Sequence, residues 1–243
     1  MTRVALISDI HSNEVALRAV LADIRRTGVD QIICLGDVAN LGPEPNAVIE
    51  ILAGLGCLCI MGNHDEFLLE PALVHAYNDS PQIVASVEWS RGRLSSSELE
   101  FIGRFDTDRE IELGRKAKLY VFHGSPRSNT ENVLATTPPD VLDEMLVGAT
   151  ATIMAGGHTH IQMLRQHHGN LLVNPGSVGL AFKDYVSGGR ATILAHAEYA
   201  IVEAIEGRIE VGLRRVALDR SNLRKSHTKS DHPLREFLLQ QYS

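Results

Sequence analysis

The stretch Val4-Ala5-Leu6-Ile7-Ser8-Asp9-Ile10-His11 decides how the rest of the chain is read. Val4 to Ile7 is a short apolar run that stops at a polar turn, the pattern of a strand buried on both faces of a parallel sheet. Asp9 and His11 follow it at once. Ser12-Asn13 then opens a segment with apolar residues at Ala16, Leu17, Val20, Leu21 and Ile24. That spacing predicts a helix capped by Ser12 or Asn13 and ended by Gly28. Two metal-competent side chains thus sit where a strand stops and the chain turns, the edge at which open α/β sheets bind ligands.

The arrangement recurs along the chain. Gln31 to Leu35 predicts a second strand stopping at Gly36-Asp37. Gly42-Pro43-Glu44-Pro45 launches a helix with Pro45 in its first turn. Cys57 to Met61 predicts a third strand, stopping at Gly62-Asn63-His64-Asp65. This alternation is that of a parallel sheet with right-handed crossovers. Residues 66–117 read as a helical insertion, with a capping box at Ser95-Ser96-Ser97-Glu98. Such a segment either walls a site or forms a helical layer of the core.

Further on, Lys118 to Phe122 predicts a strand ending at His123-Gly124-Ser125-Pro126, and a helix follows near Pro139 to Val147. Thr152 to Ala155 ends at Gly156-Gly157-His158-Thr159-His160, and Leu171 to Val173 leads into Asn174-Pro175-Gly176-Ser177. Ala191 to Ala195 and Ile209 to Val216 are expected to close a second, more antiparallel sheet. The expected fold class is α/β: a four-layer αββα sandwich of two mixed sheets flanked by helices. It is expected to form one domain over residues 1–218. The polar tail 219–243 carries Leu234, Phe237 and Leu238 at helical spacing, which predicts a helix packed back on that domain.

Composition narrows the partners. The chain has 243 residues and a net charge of −7, so a basic surface of the kind that holds duplex nucleic acid is not expected, while a local basic pocket for a phosphate stays open. Asp9 interrupts the first apolar run too early for a signal peptide. The longest apolar region, Ala47 to Met61, is broken by Glu50 and too short to span a bilayer. Cys34, Cys57 and Cys59 lie in apolar runs and read as small buried hydrophobes in a reducing compartment. A cytoplasmic protein without a membrane partner is expected.

Five predicted strand ends deliver Asp9 and His11, Asp37, Asn63 and His64, His123, and His158 and His160. Singly, each has an ordinary explanation as a turn residue, a cap or a solvated imidazole. Together they gather imidazoles, carboxylates and a carboxamide at one edge, where they would be wasted unless a cation organised them. Mixed nitrogen and oxygen donors suit Mn²⁺, Fe or Zn²⁺ rather than Mg²⁺ or Ca²⁺ alone. Asp9, His11, Asp37, Asn63, His123, His158 and His160 are too many for one ion with open positions, but divide well between two. One carboxylate must then bridge, and Asp37 is the natural candidate, with an oxygen for each ion. Ions about 3.5–4 Å apart can hold a bridging hydroxide and clamp an in-line displacement. The chemistry this serves is hydrolysis of a phosphate ester or anhydride.

Asp9-Ile10-His11, Gly36-Asp37, Gly62-Asn63-His64-Asp65, His123-Gly124 and Gly157-His158-Thr159-His160 resemble, in that order, the five blocks of the calcineurin-like metallophosphoesterase superfamily. The resemblance covers the chain from about residue 4 to about residue 180. Gly42-Pro43-Glu44-Pro45, the segment His123 to Arg127 and the segment Asn174 to Gly179 resemble its small bacterial and archaeal phosphodiesterase-like branch. The resemblance implies that Asp9, His11 and His160 bind one divalent transition-metal ion and Asn63, His123 and His158 another, with Asp37 shared. It implies Mn²⁺, Fe²⁺/Fe³⁺ or Zn²⁺ as the pair. It also implies that His64 contacts the phosphate or protonates the leaving oxygen; the alternative for His64 is a supporting hydrogen bond to the ligands.

Two departures shape the expectation. The phosphoprotein phosphatases of this superfamily carry Gly-Asp-x-x-Asp-Arg-Gly, whereas Asn40 and Leu41 stand here in place of the Asp and Arg. That argues against a phosphoprotein phosphatase and weakens any Asp–His dyad at His64. Related sequences run from Gly-Ser-Val-Gly into Gln-Pro-Arg, whereas this one continues Leu180-Ala181-Phe182-Lys183. Asn13, Asn40 and Arg127 are the candidate substrate contacts; helix capping is the alternative for Asn13, and a plain surface position for Arg127. The expected function is a dinuclear metal-dependent phosphodiesterase acting on small or nucleotide-like esters by attack of a metal-bridging hydroxide. The alternatives are a dinucleoside polyphosphate pyrophosphohydrolase and a non-catalytic scaffold on the same fold.

Overall fold

A computed structural model of the chain describes residues 1–114, 117–187 and 189–243. In β1 (Thr2–Ile7) successive side chains leave opposite faces, so Val4 and Leu6 enter one apolar cluster while Ala5 and Ile7 enter another. Helix α1 (Glu14–Thr27) covers the second face with Ala16, Leu17, Val20, Leu21 and Ile24. Asn13 caps it by accepting the Ala16 N–H at 3.0 Å, and Gly28 at φ +74° ends it. Strand β2 (Gln31–Cys34), helix α2 (Pro45–Leu55) and the two-residue β3 (Leu58–Cys59) repeat the unit, with β1, β2 and β3 parallel.

The insertion is helical at its start. It holds α3 (Asn63–Leu69), α4 (Val74–Tyr77), α5 (Pro81–Arg91) and α6 (Ser96–Ile102), the last capped by the Ser95–Glu98 box. The segment 66–117 also contains a strand, β4 (Arg109–Glu112), and its residues 115 and 116 lie outside the described residues. Strand β5 (Lys118–Val121), helix α7 (Pro139–Leu146) and strands β6 (Ile153–Ala155), β7 (Met163–His167) and β8 (Asn170–Asn174) follow. The chain closes with β9 (His196–Ile205), β10 (Arg208–Ala217), α8 (Arg220–Lys229) and α9 (Arg235–Gln241).

The strands form two five-stranded mixed sheets, in the orders β10-β9-β1-β2-β3 and β4-β5-β6-β8-β7. Val4, Leu6, Ile33, Ala200 and Val202 of the first sheet meet Leu119, Val121, Ile153 and Val173 of the second in one buried layer. Helices α1 and α2 cover the outer face of the first sheet, and α7 covers the second with Leu142, Met145 and Leu146. This is the expected four-layer αββα sandwich. Among the described residues, no helix is long and apolar enough to cross a membrane.

Three strand expectations change. The strand expected at Ala191–Ala195 lies one step on, at His196–Ile205, and among the described residues the earlier segment carries one isolated β-bridge, Phe182 to Ile193. Strands β9 and β10 join the first sheet, β9 pairing antiparallel with β1, rather than closing the second. Strand β7, which the sequence pattern did not mark, pairs with β8. The cause is shared. The β7–β8 and β9–β10 hairpins each turn on two residues at positive φ, His168-Gly169 (+48°, +82°) and Glu206-Gly207 (+50°, +85°). These have the positive-φ pair of a type I′ turn, but His and Glu replace the Asn or Asp that usually announces it. The tail folds back, with Leu223, Leu238 and Tyr242 packing on Leu41, Leu180 and Ile193.

Candidate metal centre

Loops laced to one another bring the donors together. The N–H groups of Asp9, His11 and Ser12 donate to the carbonyls of Gly36, Asp37 and Val38, while Val178 and Gly179 donate to Ser8 and Asp9. Asp9, His11, Asp37, His158 and His160 all adopt left-handed backbone, with φ between +48° and +67°. Non-glycine residues hold that conformation only where the surroundings impose it, at roughly 1–3 kcal/mol each. Gly62 is required for another reason: a Cβ there would collide with Asp37 Oδ1 and its backbone nitrogen.

Two buried groups of donors result, Asp9–His11–His160 and Asp37–His123–His158. In the first, His160 Nε2 lies 3.0 Å from His11 Nε2 and 3.3 Å from Asp9 Oδ1. In the second, His123 Nε2 lies 3.4 Å from Asp37 Oδ2 and 3.2 Å from Asn63 Oδ1. Asp37 Oδ2 is also 3.8 Å from His11 Nε2, while Oδ1 accepts the His64 N–H. A single oxygen therefore faces both groups, instead of one oxygen for each. Donors bound about 2.1 Å from one ion sit roughly 3.0–3.4 Å apart; His160 Nε2 in the first group and His123 Nε2 in the second lie at that spacing from two other donors, while His11 Nε2 and Asp9 Oδ1 are 3.9 Å apart.

Hydrogen bonds from outside settle which nitrogens are available. His123 Nδ1 donates to the Leu35 carbonyl at 2.6 Å and His160 Nδ1 to the Leu180 carbonyl at 2.8 Å. A carbonyl can only accept, so both rings carry a proton on Nδ1, and Nε2 is the nitrogen that each aims at carboxylate oxygens. A ring nitrogen facing a carboxylate in a buried pocket calls for positive charge between the two, either a second ring proton or a metal ion. Asp9 Oδ1 and His158 Nε2 are buried with no hydrogen-bond partner among the described residues, which fits the same need.

The titration of the centre reflects this packing of charge. Burial works to raise Asp9 and Asp37, but His160 and His123 beside Asp9 hold it at about 2, and His123 and His64 hold Asp37 well below the usual carboxylate range. Burial works to depress His123, yet Asp37 and Asp9 raise it to about 9. Burial and a neighbouring imidazole push His11 down to about 3 and His158 to about 4.

Beyond the seven donors, His64 sits in the same pocket, its ring edge-on to His11 at 5.3 Å between centroids. The three candidate substrate contacts are engaged elsewhere. Asn13 caps α1 and donates to the Gly179 carbonyl; Asn40 is buried against His64 and Ser86; Arg127 is ion-paired with Glu131 at 2.7 Å. Sequence reasoning gave no role to Asp65, whose carboxylate accepts the N–H groups of Asp37, Val38 and Gly62 and so props the Asp37 turn. Its place three residues after Gly62 at the start of α3 is a capping-box position, the one signal that could have marked it. Tyr77 of α4 was also missed. Its ring stands 6.0 Å from His158 and 6.2 Å from His64.

Comparison with known proteins bears on this geometry. Residues 2–213 match the calcineurin-like phosphoesterase superfamily domain. An uncharacterized protein of Methanocaldococcus jannaschii is 33% identical over 178 residues, covering 73% of this chain and 70% of that protein. A solved metallophosphoesterase from Sphaerobacter thermophilus has a TM-score of 0.77 at 24% identity, over 99% of this chain and 98% of that one. A hypothetical protein from Pyrococcus horikoshii OT3 has a TM-score of 0.82 at 18% identity, over 99% and 97%. The two solved structures share the fold. The sequence match reaches from β1 into β10, across every strand end that carries a candidate donor, and the chain therefore belongs to the calcineurin-like phosphoesterase superfamily as a metal-dependent hydrolase of phosphate esters.

Proposed function

We propose that the protein holds two divalent transition-metal ions, drawn from Mn²⁺, Fe²⁺/Fe³⁺ and Zn²⁺, and hydrolyses small or nucleotide-like phosphodiesters. Asp9, His11 and His160 would hold one ion, Asn63, His123 and His158 the other, and Asp37 both through Oδ2. The observation that carries the reading is the pair of imidazole Nε2 atoms, on His123 and His160, turned by the Leu35 and Leu180 carbonyls towards the carboxylates of Asp37 and Asp9. Ions bound there supply Lewis acidity to the phosphoryl oxygens and acidify water towards neutral pH.

The chain's own residues favour a diester. Leu41 stands where the phosphoprotein phosphatases carry their phosphate-gripping Arg, and Arg127 is already paired with Glu131. A diester carries one negative charge where a monoester carries up to two, so it asks less of a site short of cationic side chains. Tyr77 offers a flat apolar face beside His158 and His64 for an aryl or base group. The free thiols Cys34, Cys57 and Cys59 and the net charge of −7 support a cytoplasmic enzyme acting on a diffusible substrate rather than on duplex nucleic acid or a membrane.

The test is a substrate panel on metal-stripped protein reloaded with each ion in turn. It comprises bis(p-nitrophenyl) phosphate, p-nitrophenyl phosphate, 2′,3′-cyclic nucleotides and diadenosine tetraphosphate. Diesters are expected to turn over fastest, and Asp37→Ala or His123→Ala to abolish turnover. Preference for diadenosine tetraphosphate would assign a pyrophosphohydrolase instead, and inertness to the whole panel with Mn²⁺ a scaffold. Full metal-dependent activity in either variant would overturn the ligand assignment.

A further inference from the structure

A buried chain of hydrogen bonds runs from the C-terminal tail to His64. His232 lies between α8 and α9; Ser86 lies on α5; Asn40 lies in the turn after Asp37. Relative exposures are 2% for His232, 0% for Ser86, 0% for Asn40 and 7% for His64. His232 Nε2 is 2.8 Å from Ser86 Oγ, Ser86 Oγ is 2.9 Å from Asn40 Oδ1, and Asn40 Nδ2 is 2.8 Å from His64 Nδ1.

The direction of every link is forced. The Leu234 backbone N–H donates to His232 Nδ1 at 3.1 Å, so that nitrogen is bare and the proton of neutral His232 sits on Nε2. His232 Nε2–H therefore donates to Ser86 Oγ, whose own hydroxyl hydrogen goes to Asn40 Oδ1. The Leu41 backbone N–H also donates to Asn40 Oδ1 at 2.8 Å. That bond identifies the amide oxygen without ambiguity, since a backbone N–H cannot accept. The amide nitrogen of Asn40 then has to face His64, and as a donor it needs a bare Nδ1.

We infer that Asn40 is a positioning residue that holds neutral His64 with its proton on Nε2, and that the C-terminal tail anchors this arrangement through His232 and Ser86. The inference rests on the proposed function only for its purpose: His64 would present an N–H to a phosphoryl or leaving oxygen while remaining neutral. An Asp at position 40 would do the opposite. A carboxylate accepts from Nδ1–H and leaves Nε2 bare in the neutral ring. The departure from the phosphoprotein phosphatase pattern at Asn40 is thus a reversal of polarity along the His64 ring. It also gives the tail a task beyond covering the Leu41–Leu180 surface.

The test is long-range ¹H–¹⁵N correlation spectroscopy of the full chain, ¹⁵N-labelled at histidine and loaded with Zn²⁺. His64→Gln and His232→Phe identify the two resonance sets. The expected wild-type spectrum shows pyrrole-type Nε2 and pyridine-type Nδ1 for both rings. Asn40→Asp is expected to convert His64, and not His232, to pyrrole-type Nδ1. A wild-type His64 protonated on Nδ1, or one unchanged by Asn40→Asp, would overturn the role of Asn40. A His232 protonated on Nδ1 would overturn the link to the tail. The wild-type spectrum decides both points even should Asn40→Asp fail to fold. No turnover is involved, so a protein inert towards every ester would defeat the proposed function and leave the relay standing, and the converse also holds.

Discussion

Replacing Asp65 by Asn tests whether the candidate centre depends on the turn beneath it. Asp65 is fully buried, and its Oδ2 accepts the N–H groups of Asp37 at 2.7 Å and Gly62 at 3.1 Å, its Oδ1 that of Val38 at 2.8 Å. Burial and the nearby Asp37 raise its carboxyl to about 7, against the pull of those backbone donors. At pH 8 the group is ionised, and all three bonds are charge-assisted, each worth about 1.5–3 kcal/mol. An Asn side chain has the same shape but only one acceptor. In its better orientation the carbonyl keeps the Asp37 and Gly62 bonds as neutral ones, and the amide nitrogen confronts the Val38 N–H. The loss is one charged bond and the weakening of two, offset in part by relief of repulsion with Asp37. The net cost comes to about 2–3 kcal/mol, or roughly 4–12 °C in Tm for a chain of this size. Asp37 would also lose the fixed backbone that aims its Oδ2, and loss of such outer support typically lowers metal affinity by about 10–100-fold. Thermal unfolding with and without chelator, together with calorimetric titration of Zn²⁺ and Mn²⁺, reads both effects. A variant within about 1 °C of wild type and with unaltered metal affinity would refute the account of Asp65 as the prop under Asp37.

Gly62→Ala places a methyl group against Asp37 Oδ1, so turnover should fall by about 10–100-fold with metal affinity; kinetics and the same titration check it. Burial holds His227 at about 4, and its Nδ1 has no hydrogen-bond partner. The unfolded chain takes up a proton near the ordinary histidine value of 6.5, so stability is full above that value and falls as pH drops towards about 4. At pH 5 the loss is about 2 kcal/mol, and His227→Phe should remove it; Tm at pH 7.5 and pH 5.0 for metal-loaded protein compares the two. Leu238 is 1% exposed among Leu41, Leu180 and Ile193, and Leu238→Ala should cost about 2–5 kcal/mol in urea unfolding if the tail is part of the folded unit.

Much of the first sheet could be read from residue order because its signals are local. Val4 to Ile7 and Gln31 to Leu35 are apolar runs followed at once by polar turns, and Asn13, Gly28, Pro45 and Ser95 mark helix ends by their own chemistry. The hairpins at His168-Gly169 and Glu206-Gly207 were hidden because His and Glu seldom accept positive φ; sheet pairing imposes it on them. Strand β9 was misplaced for a related reason. Tyr199 and Ile201 face one core and Ala200 and Val202 the other, so no alternation of apolar and polar residues announces it.

The sequence by itself determined which donors exist and that each follows a strand, since an apolar run, a glycine and an Asp, Asn or His are properties of a few adjacent residues. Only the tertiary structure decided how those donors are aimed. It chose Asp37 Oδ2 to face both groups, turned Nε2 of His123 and His160 inward through the Leu35 and Leu180 carbonyls, and spent Asn40 on His64. It also carried His232 to Ser86, 146 positions away in the chain. The physical reason is that a side chain's usable atom is set by what takes its other atoms, and those partners are distant in sequence.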